Sequence, residues 1–267
     1  CSHLDGIPLA LELAAARAQV MSPARMLEQV DSRFAFLISR RRDVDERHRT
    51  LRTAIDWSYQ LLRPELRHFF ARLSVFRGGW VAGAAETVCE EPAAMEYIEE
   101  LSECSMVTVD ASAAREVDDR FRLLETLREY GWEHLAPEDR DELRDRHSRY
   151  YLELAQRADS QLRGPEQGYW LRGLAADQDN LRAALSWLAE TEGGASDGLA
   201  LSTALARFWV TQGHVSEGRA WVAEFLSRVK EGDADRTYAR ALTAAGELAT
   251  AAGDVEGAPP LLAQARG

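Results

Sequence analysis

The chain has 267 residues, of which 46% are hydrophobic and 28% charged, enough for about two domains or an array of small modules. Its formal net charge of −12 argues against broad binding to nucleic acid or to membrane surfaces. Cys1, Cys89 and Cys104 form no CxxC pair and no cluster with histidine, so neither a disulfide framework nor a zinc site is supported. Without a long apolar run or a signal-peptide pattern, a reducing, cytoplasmic setting is expected.

The residues of an enzyme active site are not apparent. A phosphate-binding P-loop needs a lysine within G-x-x-x-x-G-K-[ST], whereas Lys230 lies in RVKEG. Serines, histidines and acids are scattered without the spacing of a nucleophile, an acid–base pair or a metal site. We therefore predict no catalytic residue and no metal ligand. Because the chain begins with Cys1 and not with methionine, we expect it to be part of a longer protein.

Residues 1–46 predict two helices. The first follows a Gly-Ile-Pro turn in LDGIPLALELAA, where Pro8 fits the first helical turn because its missing N–H costs nothing there. The second helix is SPARMLEQVDSRF. The stretch after it, SRRRDVDERHRT at 39–50, interleaves arginines and acids, which favours a solvated linker over a partner-binding patch.

Residues 47–135 predict a winged helix-turn-helix. Apolar residues recur at helical spacing in LRTAIDWSYQLL and ELRHFFARLSVF, and Gly78-Gly79 interrupts the chain. Two short helices, AGAAETVCE and AAMEYIEELSEC, are followed by the alternating segments MVTVD and RFRLLE, which predict a small β-hairpin with a long loop. A further helix, TLREYGWEHL, leaves this module.

Residues 136–267 predict a stack of helical hairpins. Gly213-His214-Val215 matches Gly253-Asp254-Val255 at an offset of 40 residues, as in a tetratricopeptide-like α-solenoid. Core packing is favoured over an exposed ligand groove for six aromatic residues: Trp170, Trp187, Phe208, Trp209, Trp221 and Phe225. The predicted fold class is therefore mainly α: a helical-bundle fragment, a winged helix with a small hairpin, and a solenoid.

Three stretches resemble a known family. CSHLDGIPLALELAAARAQVMSP, HRTLRTAIDWSYQLLRPELRHFFARLSVFRGGW and RFRLLETLREYGWEHL are similar to consecutive landmarks of bacterial NB-ARC regulators of the STAND class. The resemblance covers roughly residues 1–235 and is closest to SARP- and LuxR-type transcriptional activators, which have a central ATPase and C-terminal tetratricopeptide repeats. It implies that 1–46 ends the NB-ARC helical subdomain.

In this family the GLPL element contacts the adenine of a bound nucleotide. The matching residues are Gly6, Ile7, Pro8 and Leu9, so the resemblance implies Gly6, Pro8 and Leu9 as cofactor-binding residues. A proline ring offers a flat, rigid apolar wall to a purine. Taken in isolation, the same turn favours the simple start of a core helix, whereas the neighbouring landmarks favour the nucleotide contact.

A second family element, a Met-His-Asp triplet in the winged helix, senses the β-phosphate of ADP. The matching residues are Leu123, Leu124 and Glu125, which makes Leu124 and Glu125 the implied cofactor positions on the phosphate side. Leu124 replaces the histidine and cannot donate a hydrogen bond, whereas Glu125 retains the structural carboxylate. Arg122 or Arg128 is the alternative phosphate donor.

The resulting hypothesis is a regulatory part of a nucleotide-dependent switch. ATP or ADP would bind only in the whole protein, with an upstream P-loop domain of the same chain as partner and with an effector recognised by the helical repeats. Residues 78–114 contain eight acids and no arginine, lysine or histidine, so no direct DNA contact is expected from this winged helix. The alternative is a tetratricopeptide-type protein-binding scaffold without a nucleotide role.

Overall fold

The computed structural model describes residues 51–110, 119–229, 235–254, 257–259 and 263. The two helices predicted before residue 47, the GLPL element and the arginine-rich linker lie outside these residues. Within the described ranges the chain forms eleven helices and one small three-stranded sheet, which confirms the mainly α fold class.

The winged-helix module comprises residues 51–110 and 119–135. Its elements are α1 Leu51–Leu61, α2 Pro64–Leu73, β1 Gly79–Val81, α3 Ala82–Cys89, α4 Ala94–Glu103, β2 Thr108–Val109, β3 Arg120–Arg122 and α5 Glu125–His134. Helix α2 illustrates how the sequence sets its structure. Arg63 is extended before Pro64, which is pre-shaped for a first helical turn, and the periodic Leu66, Phe69 and Phe70 are all buried. Each such side chain contributes about 1.5–3 kcal/mol by leaving water.

The sheet contains the predicted hairpin and one strand that was not predicted. Strand β3 lies in the middle and pairs antiparallel with β1 and β2, so that Phe121 is opposite both Trp80 and Val109. The pair Gly78-Gly79 predicts an interruption between helices. Gly78 does turn the chain, with a φ of +73°, but β1 begins immediately at Gly79. Three residues are too few to show an alternating pattern.

The helical array begins at residue 137. Its elements are α6 Pro137–Gln161, α7 Gln167–Ala176, α8 Gln178–Glu190, α9 Ala195–Gln212, α10 Val215–Leu226 and α11 Asp235–Ala251. Helix α6 packs against α3 of the winged-helix module and against α8 and α9, while α9 packs against α10 and α11. No helix among the described residues is long and apolar enough to cross a membrane.

The repeat detected in the sequence corresponds to a repeated turn. Gly213 and Gly253, which are 40 residues apart, both have left-handed backbone conformations, with φ of +79° and +77°. The core interpretation of the aromatic residues is right for Phe208, Trp209 and Phe225, which are at most 2% exposed. The three remaining tryptophans of that set are only half-buried. Assignment to the tetratricopeptide class stays a prediction.

Candidate functional site

The winged-helix module is joined to the helical array by buried polar side chains. We call the set Arg120, His147, Tyr151, Asp177 and Asn180, with the backbone of 77–79, the junction network. Arg120 on β3 is 3% exposed, and its Nη2 donates to Asp177 Oδ1 at 2.7 Å, to Gly79 O at 2.8 Å and to Ala176 O at 3.1 Å. A charge buried this deeply needs such compensation.

Asn180 makes the second set of connections. Its side chain is completely buried; the Oδ1 accepts from the Arg77 backbone N–H at 2.7 Å, and the Nδ2 donates to Gly79 O at 2.8 Å. The Nδ2 also lies 3.4 Å from Asp177 Oδ1. One amide on α8 therefore satisfies the backbone on both sides of Gly78, about a hundred residues earlier in the chain.

His147 on α6 completes the buried contacts. The imidazole is 3% exposed, lies against the rings of Phe76 and Tyr151, and places Nε2 3.3 Å from Asn180 Oδ1. Burial lowers the pKa of His147 to about 4, so the ring is neutral near pH 7. Nε2 is the donor because an amide oxygen only accepts. The prediction that His147 is a packed helix residue is confirmed.

Two cavities flank the start of α5. The junction cavity, of about 540 Å³, lies between the winged-helix module and α6 and α8, with Arg77, Trp132 and Trp187 among its lining residues. The wing cavity, of about 350 Å³, is lined by Trp80, Arg122, Leu124 and Arg128 among others. Gly78 and Glu125 line both cavities.

Leu124 and Glu125, the predicted phosphate-side residues, lie together on the wing cavity. Leu124 is the extended residue just before α5, and Glu125 is the first residue of that helix. The Glu125 carboxylate accepts from Arg128 Nε at 2.8 Å and Nη2 at 2.5 Å. Gly6, Pro8 and Leu9, the adenine-side residues, lie outside the described residues, so the structure places two of the five predicted site residues.

The two alternative phosphate donors differ in availability. Arg128 is 8% exposed, and besides Glu125 its Nη1 lies 3.4 Å from Ser74 O, so its guanidinium is occupied within the fold. Arg122 is exposed and lines the wing cavity beside Leu124. Of the two arginines, Arg122 is the one that a ligand in this cavity could reach.

Helix α4, which holds the position of a recognition helix, has an acidic outer surface. Glu96, Glu99 and Glu103 are exposed on it and make no ion pair with the residues that the structure describes. Glu100 on the same helix pairs with Arg63, with an Nη2–Oε1 distance of 2.5 Å. This surface repels a phosphate backbone.

Sequence reasoning missed most of the junction network. Arg120 and Arg122 alternate with Phe121, a pattern that predicts two arginines on one solvent face, yet Arg120 is buried and Arg122 is exposed. Asp177 lies between α7 and α8 and directly precedes α8. A helix-start signal in ADQDNLRAAL, with Asp and Asn before an apolar run, was the one hint available.

Comparison with known proteins gives relatives of the chain. Candidate HTH-type transcriptional regulators of Mycobacterium tuberculosis and Mycobacterium bovis are 35% identical over 231 residues, 85% of this chain and 26% of the relative. An uncharacterized protein of Mycobacterium tuberculosis is 32% identical over 142 residues, 51% of this chain and 35% of that protein. The chain thus spans about a quarter of the regulators' length. No protein-family model matches the chain, and no solved structure matches it significantly.

Proposed function

We propose that this chain is the coupling region of an HTH-type transcriptional regulator. Its winged-helix module and helical array would pass a signal between the effector and the other domains of the whole protein. The similarity to the mycobacterial regulators over 85% of the chain is the observation that carries this proposal. The buried junction network supports it, because a polar connection satisfied on both sides transmits a displacement of one module to the other.

In this proposal the winged helix does not read DNA. Specific binding to a duplex needs cations on the phosphates and donors or acceptors at base edges, whereas α4 presents exposed carboxylates. Another domain of the whole protein would contact DNA, and this winged helix would pack within its own polypeptide.

We further propose a nucleotide-dependent switch in the whole protein. An upstream P-loop domain of the same chain would bind ATP or ADP, and Gly6, Pro8 and Leu9 would contact the adenine. Arg122 would supply the phosphate donor that Leu124 lacks, since it is exposed at the wing cavity. Exchange of the nucleotide would shift the population between two domain arrangements, provided that ATP and ADP bind those arrangements unequally.

The DNA part of the proposal is tested by fluorescence anisotropy with a labelled duplex at 50 mM salt. The chain is expected to give no binding, whereas the triple variant Glu96→Lys, Glu99→Lys and Glu103→Lys is expected to bind with a strong salt dependence. This variant serves as the positive control, because it changes only exposed charges on α4. Salt-sensitive binding by the unchanged chain would overturn the assignment.

The nucleotide part is tested on the full-length protein by equilibrium binding of ADP and ATP. Arg122→Gln is expected to weaken ADP binding about tenfold or more, because a charge-assisted hydrogen bond is lost. Arg149→Gln, at an exposed arginine on α6, is the matched control and should leave the affinity unchanged. If the full-length protein binds neither nucleotide, the protein-binding scaffold becomes the better assignment.

A further inference from the structure

The loop that carries Arg77 is held in place by the junction network. The Arg77 backbone N–H donates to Asn180 Oδ1 at 2.7 Å, and Gly79 O accepts from both Arg120 and Asn180 at 2.8 Å. Gly78 between them has a φ of +73°, which a side chain would strain. The position from which the Arg77 side chain extends is therefore fixed before any ligand arrives.

The charge of Arg77 is poorly compensated. Its side chain is 45% exposed, and its nearest acid among the described residues is Glu125, at an Nη1–Oε1 distance of 4.0 Å. That carboxylate already accepts two hydrogen bonds from Arg128. Partial burial, followed by the positive charge of Arg128, lowers the pKa of Arg77. An anion beside Arg77 would compensate for the partial desolvation of its guanidinium and for the repulsion by Arg128.

The cavity in front of Arg77 has the size of a small-molecule site. Its volume of about 540 Å³ falls in the range of ligand pockets, roughly 300–1,000 Å³. Two indoles line it, and the Arg144 guanidinium lies 4.7 Å from the Trp132 ring and 4.9 Å from the Trp187 ring. Arg144 thus adds a second cation to a cavity with aromatic walls.

The carboxylates that line the same cavity do not cancel Arg77. The Asp179 side chain is 64% exposed, so solvent weakens its field, and it lies 3.7 Å from Arg182, which makes two hydrogen bonds of 2.7 Å to Glu217. Glu190 is exposed, where solvent and salt weaken its field. The acids of the cavity are thus screened by solvent or engaged by other arginines, whereas the Arg77 side chain has only one, long contact to an acid among the described residues.

We propose that the junction cavity binds a small molecule bearing a carboxylate or phosphate group, with Arg77 as its principal anion-binding residue. A guanidinium presents a planar fork that matches either group. Because the cavity is lined by both modules, such a ligand would stabilise the one arrangement in which they are joined. The site shares Glu125 with the wing cavity, but it involves neither Arg122 nor the adenine-side residues and does not require a bound nucleotide.

The test uses the whole chain, titrated separately with inorganic phosphate and with acetate against chloride at equal ionic strength. Side-chain NMR of the Arg77 Nε–H is expected to show a saturable shift with at least one anion. Arg77→Gln should weaken the stabilisation of the protein by that anion at least tenfold in a thermal-unfolding titration. Arg219→Gln, at a surface arginine paired with Asp254 at 2.7 Å, is the control and should leave it unchanged.

The two titrations distinguish the ligand classes, since a response to phosphate alone or acetate alone supports the proposal and identifies the group. A shift of the Arg77 signal that fails to saturate with either anion overturns it. So does an Arg77→Gln variant that keeps the stabilisation. Should that variant fold poorly, the decision rests on the unchanged chain: the Arg77 signal must saturate at lower anion concentration than that of Arg219.

Discussion

At the scale of single residues, Asn180 makes four polar contacts through one buried amide. Its amide is fully buried and satisfies the Arg77 N–H and, together with Arg120, the Gly79 carbonyl. No apolar side chain could serve both, because one group requires an acceptor and the other a donor. Asn180 contributes to stability mainly because its removal would leave buried polar groups without a partner.

Asn180→Ala is therefore expected to destabilise the protein by about 2–4 kcal/mol, because the Arg77 N–H and the His147 Nε2–H both lose their acceptor, while Gly79 O keeps Arg120. Urea unfolding gives the free energy directly. Ser186→Ala, at an exposed position on the same helix, is the matched control and should change the free energy of unfolding by less than about 0.5 kcal/mol. Equal effects of the two substitutions would contradict the role given to Asn180.

His147 makes stability depend on pH. Its pKa falls from 6.5 in the unfolded chain to about 4 in the folded protein. Between these pH values the unfolded chain binds a proton on this imidazole that the folded protein does not bind. Its contribution is complete above about pH 6.5 and is lost as the pH falls towards 4. Between pH 7.5 and 5 this loss amounts to about 2 kcal/mol.

The measurement is the free energy of unfolding at pH 7.5 and at pH 5. His147→Gln should lose about 2 kcal/mol less than the unchanged chain over this interval, because its side chain does not titrate. Ser186→Ala, an exposed substitution that involves no titrating group, should keep the full pH dependence. A parallel pH profile for the unchanged chain and His147→Gln would show that the buried imidazole is not the titrating group.

At the scale of elements, the pair of Arg120 and Asp177 connects β3 to the turn between α7 and α8. Arg120→Leu is expected to cost about 3–5 kcal/mol, because the Asp177 carboxylate stays buried without its cation. The double variant Arg120→Leu with Asp177→Leu should be more stable than Arg120→Leu alone, since it removes both charges. Urea unfolding of the four proteins in the cycle measures the coupling, and strictly additive losses would argue against a direct pair.

Helix α9 approaches α10 closely at a glycine. A Cβ added at Gly198 would lie 2.1 Å from Phe225 Cε1, whereas a Cβ added at Gly173 on α7 would meet nothing within 4 Å. Gly198→Ala is expected to destabilise by at least about 2 kcal/mol through forced repacking. Gly173→Ala should stabilise by up to about 1 kcal/mol through helix propensity. Thermal or urea unfolding measures the stability change of each variant. If Gly198→Ala is no more destabilising than Gly173→Ala, Gly198 is not in close contact with Phe225.

The elements show which parts of the fold the sequence could predict. The helical spacing of apolar residues such as Leu66, Phe69 and Phe70 indicates both a helix and its buried face, so α2 was predictable from local spacing. Strand β1 was not, because Gly79–Val81 is stabilised mainly by pairing with a segment forty residues later. The same limit applies to the site. Leu124 and Glu125 were found by family resemblance, whereas the partners of Arg120 are decided by a distant turn.

For the whole molecule, these contacts imply that the winged-helix module and the first helices of the array unfold together. Arg120, Asn180 and His147 connect β1 and β3 to α6 and α8, and α3 also packs against α6. A domain movement that switches the protein would then occur elsewhere than at this junction. Buried polar contacts fix one relative orientation, because any other leaves them unsatisfied.

Native-state hydrogen exchange tests this cooperativity segment by segment. In the unchanged chain, the most protected amides of α2 and α8 are expected to exchange at the same free energy. Arg120→Leu should lower the free energy of exchange in α2 by about 2 kcal/mol or more relative to that in α9, because the winged-helix module is then no longer held to the array. Gly198→Ala should do the reverse and loosen α9 and α10 first. If α2 already exchanges well below α8 in the unchanged chain, the two modules are independent units and the junction network does not couple them.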